Sequence, residues 1–163
     1  MPIIKDGAVV EDPWIFEEGE TVLGGDAPIM VTLERWQADR ERLMGHNGPI
    51  GLRLKDDQSP ALVAEDLQRF SLIALEFPAF KNGRGYSSAR LLRGRYGFTG
   101  EIRAVGDVLR DQVAFMARCG VDSFEVADGF DVAAWDDIMG EMSHVYQTSA
   151  DGLETVLEKR HGS

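Results

Sequence analysis

The segment from 77 to 93 contains the residues whose types and spacing suggest chemistry most directly. It joins an apolar run typical of a buried strand to a predicted helix, and it places Arg84 between Gly83 and Gly85. Glycine lets a main chain approach a bound group closely, and a guanidinium group offers planar donors to a carboxylate, phosphate or oxidised sulfur anion. The candidate anion ligands are Arg84, Gly85, Tyr86 and Ser87. The alternative is an ordinary turn.

Further cations follow in the same segment. Ser87 is placed to cap the predicted helix, and Lys81, Arg90 and Arg93 add a local surplus of positive charge to an acidic chain. We interpret this surplus as part of an anion site, and a solvated helix face is the alternative interpretation.

Four charged residues lie inside predicted strands, where apolar residues are expected. They are Arg53, Glu76, Arg103 and Glu125. An unpaired buried charge is costly, so these groups need partners or a wet cavity. If the strands are neighbours in chain order, arginine and glutamate stand side by side and form a polar layer. The alternative is a sheet with one solvated face and ordinary cross-strand ion pairs.

Two of these four residues are candidate site residues. We predict Glu76 as an acid or base and Arg103 as an anion ligand. A second polar loop, residues 106–112, should lie beside the first, because the carboxyl ends of parallel strands meet along one edge. In it, Asp107 is either a helix N-cap or a catalytic base, and Arg110 is a further candidate anion ligand.

Composition narrows the class of protein. The 163 residues are enough for one well-cored domain, and the formal net charge of -11 argues against a general nucleic-acid surface or an anionic membrane partner. Cys119 is the only cysteine, which excludes an intramolecular disulfide and any thiolate zinc or iron–sulfur site within this chain. We expect Cys119 to be a buried thiol without redox chemistry. A reducing cytoplasm is the simplest location.

Motifs for cofactors and for membrane passage are absent from the sequence. The start lacks the apolar core of a secretory signal, and no apolar run approaches the roughly 18 residues that cross a bilayer. The three histidines lack ligand spacing, so we predict no metal site. Neither a dinucleotide-binding glycine motif nor a phosphate-binding P-loop occurs, so the cofactor, if any, is unknown.

The order of elements predicts an α/β fold. Strand cores recur at intervals of roughly twenty to thirty residues, the length of one βα unit. We predict an open parallel sheet of about four to five strands with flanking helices, and a partial βα barrel is the alternative. The predicted strands are 29–31, 50–54, 72–77, 101–105 and 123–127, with a further strand at 144–147. The predicted helices are 33–44, 60–68, 87–95, 108–118 and 132–142.

Residues 1–150 are predicted to form a single domain, and 151–163 a C-terminal tail. Within the domain, residues 1–25 should form an N-terminal β-hairpin arm about the Asp6-Gly7 turn, followed by Trp14 and Phe16. Such an arm is not stable alone, so its apolar residues must pack on the main domain or on another subunit. This arm leads us to predict a homodimer.

Several segments together resemble a bacterial family known as DUF934, whose members are labelled as oxidoreductases of sulfite reduction. The segments are Phe77-Pro78-Ala79-Phe80, Gly83-Arg84-Gly85-Tyr86-Ser87, Ala89-Arg90-Leu91-Leu92-Arg93, Gly100-Glu101-Ile102-Arg103-Ala104, Gly106-Asp107-Val108-Leu109-Arg110-Asp111-Gln112 and Cys119-Gly120. The combination, spread over roughly residues 70–127, is more specific than any one piece.

The resemblance implies a role in assimilatory sulfate and sulfite reduction. Two hypotheses follow. In the first, the candidate site binds, senses or acts on a sulfur oxyanion or an adenylated sulfur compound. In the second, the protein is a non-catalytic accessory that docks on sulfite reductase or its electron donor. The oxidoreductase label would require a cofactor bound at an unrecognised site or delivered by a partner.

Overall fold

The structure is a computed structural model, and it describes residues 2–17, 25–77 and 84–139. The glycine-rich start of the candidate anion loop, with Lys81 and Gly83, lies outside the described residues. The predicted strand at 144–147 and the predicted tail at 151–163 also lie outside them.

Within the described residues, eight strands form one sheet. They are β1 Ile3–Lys5, β2 Ala8–Val10, β3 Ile15–Glu17, β4 Ile29–Thr32, β5 Ile50–Leu54, β6 Phe70–Phe77, β7 Glu101–Gly106 and β8 Ser123–Glu125. Their order across the sheet is β2-β1-β8-β7-β6-β5-β4-β3. Strands β3 to β8 are parallel and adjacent in chain order, whereas β1 pairs antiparallel with both β2 and β8.

Helices connect the parallel strands. They are α1 Leu33–Ala38, α2 Arg40–Met44, α3 Arg84–Arg90 and α4 Arg110–Arg118. Pro60–Arg69 and Val132–Ala134 are 3₁₀-helical, Leu91–Arg95 continues α3 as a π-helix, and residues 135–139 are helical. No helix among the described residues has both the length and the apolar character needed to cross a bilayer.

Chain length requires the sheet to curl. Strands β2 and β3 are its two outer strands, and eight strands laid flat about 4.8 Å apart would separate them by roughly 34 Å. Five Cα–Cα steps join Val10 to Ile15, and these span at most about 19 Å. The sheet is therefore a curled half-barrel. Residues 11–14, called here the crossing segment, run across its concave side.

The two faces of the half-barrel are packed differently. The convex face carries the main apolar core, in which strand residues such as Leu52, Ile73 and Ile102 pack with the helices. The concave face holds a smaller cluster of Met30, Leu72, Ala74 and Val105, against which Trp14 of the crossing segment packs. Phe16 and Ile3 also lie on this face, together with polar side chains.

The α/β class is confirmed, but the predicted sheet of four to five parallel strands was wrong. The sheet is larger and partly antiparallel, and its curl resembles the alternative, a partial βα barrel. The β1–β2 hairpin about Asp6 and Gly7 forms as predicted. It is not a separate arm, because β1 adds to β8 and buries Ile3 and Ile4.

Other differences arise at element ends and in one missed strand. The predicted helix 33–44 breaks at Asp39, and the 60–69 segment is 3₁₀-helical although Ser59 caps it as expected. Strand β3, which contains Phe16, was missed because three residues give too short a pattern to detect. Cys119-Gly120 ends α4 as predicted, with Gly120 at φ +113°.

Candidate functional site

The four charged strand residues lie on one face of the sheet. Ala74 pairs with both Arg53 and Arg103, and Arg103 pairs with Ser123. Glu76 and Glu125 lie two residues beyond Ala74 and Ser123, and side chains two apart share a face. This is the concave face, because Ala74 belongs to the cluster that contacts Trp14. The predicted polar layer therefore exists.

One ion pair of this layer lies toward the carboxyl ends of the strands. Arg53 Nε donates to Glu76 Oε2 at 2.7 Å, and both side chains are partly exposed. The Arg53 guanidinium also lies over the Phe16 ring, 5.3 Å from its centroid. Glu76, the candidate acid or base, thus faces an arginine on the neighbouring strand, as the alternation of charges predicted.

A second network surrounds Arg103, which is only 3% exposed. Its Nε donates to Ser123 Oγ at 3.2 Å, its Nη1 to Asp12 Oδ1 at 3.0 Å and its Nη2 to Glu101 Oε2 at 3.2 Å. Glu101 also accepts from Lys5 Nζ at 3.1 Å and from Ser123 Oγ at 2.7 Å. All three guanidinium nitrogens are thus engaged within the chain, so the predicted anion ligand Arg103 binds internal groups.

Glu101 is the acidic centre of this network. Burial opposes its charged form, but hydrogen bonds from Ser123 and Lys5, together with the charge of Arg103, hold the pKa of Glu101 below its usual value. The network therefore depends on an ionised Glu101.

The crossing segment is held in place from both sides. Asp12 reaches Arg103, and its carboxylate also accepts from Trp14 N at 3.2 Å. Trp14 lies against Gly51, where an added Cβ would be 3.3 Å from the indole ring. Gly51 in β5 therefore leaves room for the Trp14 ring, and the buried Arg103 in β7 binds Asp12. Through these two contacts the crossing segment fills the centre of the concave face.

The predicted anion ligands at the start of α3 differ in their exposure to solvent. Arg84 and Ser87 are exposed, whereas Gly85 is buried. A Cβ at Gly85 would overlap the Phe77 ring, so this glycine permits close packing of α3 on β6. Ser87 lies inside α3, so the prediction that it caps the helix was wrong.

Tyr86 is directed into the aromatic core. Its ring lies 5.1 Å from Phe77 and 5.0 Å from Phe115 between centroids. Burial, and to a lesser degree Cys119, raises the pKa of the Tyr86 hydroxyl. The Tyr86 ring therefore joins α3 to α4.

The second loop leads into α4 beside α3. Phe77 and Gly106 are partners across β6 and β7, and Asp107 N donates to Phe77 O at 2.7 Å. Asp107 is half-buried, and Leu109, without a side-chain cap bond, is the N-cap residue of α4. The N-cap alternative for Asp107 was therefore wrong. Arg110, the first residue of α4, is exposed.

Other basic residues of the predicted surplus serve the fold. Arg93 donates to the carbonyl oxygens of Phe98, Gly100 and Gly120 and pairs with Asp122. Arg90 lies over the Phe115 ring at 5.3 Å. Cys119 is buried, and burial raises the pKa of its thiol. Arg84 and Arg110 are the exposed arginines among the predicted anion ligands.

A pocket of about 580 Å³ opens at the other end of the strands, near the start of β7. Trp135 and Phe124 form part of its wall, and its acidic residues are Asp6, Glu101 and Asp122. Glu101 is paired with Lys5, and Asp122 is paired with Arg93. Across residues 2–17, 25–77 and 84–139, no cluster of three or more His, Cys, Asp or Glu residues is arranged to hold a metal ion.

Sequence reasoning missed the partners of Arg103 and the ring over Arg53. The spacing of Glu101 and Arg103, two apart in one strand, was a usable signal that both share a face. No local pattern pointed to Asp12 or Phe16, because their roles depend on how the crossing segment spans the half-barrel.

The fold and its partly polar concave face define an α/β half-barrel protein. The chain belongs to the family described as bacterial protein of unknown function (DUF934), which matches residues 51–157. A search of curated proteins found no match. The family match begins in β5, so the crossing segment and β1 to β4 precede it.

Proposed function

We propose that this protein binds a sulfur oxyanion or an adenylated sulfur compound and acts in sulfate and sulfite reduction. The proposed site is the carboxyl-end rim, the edge of the sheet where the parallel strands end and α3 and α4 begin. The sulfur chemistry comes from the resemblance described above. The observation that supports an anion site is geometric. Arg84 and Arg110 are exposed at the starts of α3 and α4, which follow the paired strands β6 and β7.

Packing places α3 and α4 side by side. Tyr86 and Arg90 of α3 both contact the Phe115 ring of α4. Packed helices lie about 8–10 Å apart, a distance that two arginine side chains can span around one shared anion.

Charge placement at this rim also supports an anion. The amino end of a helix carries a partial positive charge, so a cation there is unfavourable by about 0.3–1 kcal/mol in exposed positions. Arg84 and Arg110 are the first residues of α3 and α4, and Asp111 is the acidic residue in the first turn of α4. An oxyanion bound between the two arginines would lower the repulsion at both helix starts. Glu76 and Asp107, at the ends of the same two strands, remain the proposed acid or base groups.

Thermal unfolding with added ligands tests this function. Sulfite or adenosine phosphosulfate should raise the melting temperature, whereas chloride at matched ionic strength should not, because specific binding stabilises only the folded state. A flavin-like absorbance of the purified protein would in addition support the oxidoreductase label. A colourless protein with no response to any of these anions would contradict the anion site.

A separate observation favours the second candidate function, an accessory that docks on sulfite reductase or its electron donor. Exposed apolar side chains occur on both outer strands of the sheet: Val9, Ile15 and Phe16. Co-purification of the protein with the reductase, without any response to anions, would favour this function. We propose it as the alternative.

A further inference from the structure

We infer that the pocket near the start of β7 binds a small organic cation, an amine that carries a neighbouring carbonyl group and an apolar body. The pocket lies where β7 and β8 begin, since its lining includes Gly100 and Asp122. The carboxyl-end rim lies at the opposite ends of these parallel strands. This second site is therefore separate from the proposed function.

The first observation is the size and the wall of the pocket. Its volume of about 580 Å³ lies within the range of about 300–1,000 Å³ that is typical of small-molecule sites. The rings of Phe124 and Trp135 lie at the wall with a centroid distance of 5.4 Å, and Val121 and Met139 lie beside them. These side chains offer an apolar surface to the body of a ligand.

The second observation is an indole N–H group without an acceptor. Trp135 is only 8% exposed, and its Nε1 has no hydrogen-bond partner among the described residues. This atom is not fully enclosed by protein. A Cβ added at Gly7 would lie 3.3 Å from Nε1, so this edge of the ring lies against the Asp6-Gly7 turn, where Asp6 also lines the pocket. A largely buried indole N–H usually has an acceptor, and a carbonyl oxygen of a ligand would supply one.

The third observation is the charge of the pocket. Two of its carboxylates are compensated, Glu101 by Lys5 and Asp122 by Arg93. The third, Asp6, is exposed and has no ion-pair partner among the described residues. Its carboxylate leaves an uncompensated negative charge beside the indole N–H, and such a charge attracts a cation.

The donor and the acceptor together define the class of ligand. The Asp6 carboxylate accepts from an ammonium group, and Trp135 Nε1 donates to a carbonyl oxygen close to it. Within residues 2–17, 25–77 and 84–139, no group of three or more His, Cys, Asp or Glu residues is placed to hold a metal ion. An organic amine therefore fits the pocket better than a metal cation does.

NMR spectroscopy of the full chain tests the inference with L-phenylalaninamide. This probe carries an ammonium group, a carbonyl group and a phenyl ring, and it has no carboxylate. A proton–nitrogen correlation spectrum follows the indole N–H signals of the three tryptophans, and Trp135→Phe identifies the Trp135 signal. We expect a saturable shift of that signal. The Trp36 signal is the internal control and should not move, because Trp36 Nε1 donates to Asp66 at 2.9 Å.

One variant tests the contribution of the Asp6 charge. Asp6→Asn preserves the turn, because asparagine also adopts the φ of +55° found at this position. It should weaken binding of the probe about fivefold, and added salt should weaken binding to the wild type, since the carboxylate is exposed. The matched control is Asp57→Asn, the same change at an exposed aspartate elsewhere, which should leave the affinity unchanged.

Two analogues test the parts of the ligand. N-acetyl-L-phenylalaninamide lacks the ammonium group and should bind about fivefold more weakly. Phenethylamine lacks the carbonyl group and should shift the Trp135 signal less. The inference is overturned by the absence of a saturable Trp135 shift, by an equal shift of the Trp36 signal or by equal affinity for the N-acetyl analogue. An equal loss of affinity in Asp57→Asn would also overturn it.

Discussion

Asp12 Oδ1 lies 3.0 Å from Arg103 Nη1, although the two residues are 91 positions apart in the chain. This ion pair joins the crossing segment to the central strand β7. Arg103 is almost fully buried, so Asp12, Glu101 and Ser123 supply the acceptors that its guanidinium would otherwise lack. The polar layer of the concave face is therefore structural at its centre, and its exposed members lie toward the rim.

Replacing Arg103 should destabilise the protein strongly. Arg103→Met would leave Glu101 and Asp12 without their shared cation, and removing one partner of a buried pair costs on the order of 3 kcal/mol. Urea unfolding measures this change in the free energy of unfolding. The matched control is Arg42→Met, an exposed arginine of α2, which should change stability by less than about 0.5 kcal/mol. Similar losses in the two variants would contradict the internal role of Arg103.

Gly85 should be needed for packing. Gly85→Ala places a methyl group into the Phe77 ring, and overpacking of this kind costs about 1–3 kcal/mol. Gly94 is the matched control in the adjoining π-helix, because an added Cβ there has no neighbour within 4 Å. Gly94→Ala should be neutral or stabilising. If thermal unfolding shows the two alanine variants to be equally stable, the packing explanation is wrong.

Acid should weaken the Arg103 network through Glu101. The pKa of Glu101 is lowered in the folded state, so its contribution to stability is present above the usual value of 4.5 and is lost as pH falls through the lower folded value. The stability difference between the wild type and Glu101→Gln should therefore narrow below about pH 4.5. Urea unfolding at neutral and acid pH measures it, with Glu65→Gln, an exposed residue, as the control. If the stability difference between the wild type and Glu101→Gln does not change with pH, the ionised form of Glu101 does not stabilise the network.

Much of the parallel sheet could be predicted from the sequence. The apolar runs at 50–54 and 72–77 and the turn at Cys119-Gly120 are local signals, and each formed close to its predicted position. The alternation of Arg53, Glu76, Arg103 and Glu125 also indicated correctly that these residues share a face. Side-chain periodicity in strands is enough for that inference.

The curl of the sheet and the contacts of Tyr86 and Arg103 depend on long-range geometry, which local sequence patterns do not contain. Tyr86 contacts the Phe115 ring because α3 packs on α4. The sequence near Tyr86 does not show how these two helices pack. The curl of the sheet follows from the short connection between Val10 and Ile15, but only once both are known to be in outer strands. The sequence alone suggests an anion as the partner of Arg103, because no local pattern shows that Asp12, 91 positions away, is its internal partner.

The most direct test of the proposed anion site is a calorimetric titration of the purified protein with sulfite and with adenosine phosphosulfate. We expect binding by the wild type, a loss of about tenfold or more in affinity for Arg84→Gln and for Arg110→Gln, and unchanged binding for Arg118→Gln at the far end of α4. Circular dichroism of each variant verifies that the fold is intact. Absence of binding by the folded wild type, or an equal loss in Arg118→Gln, would contradict the site.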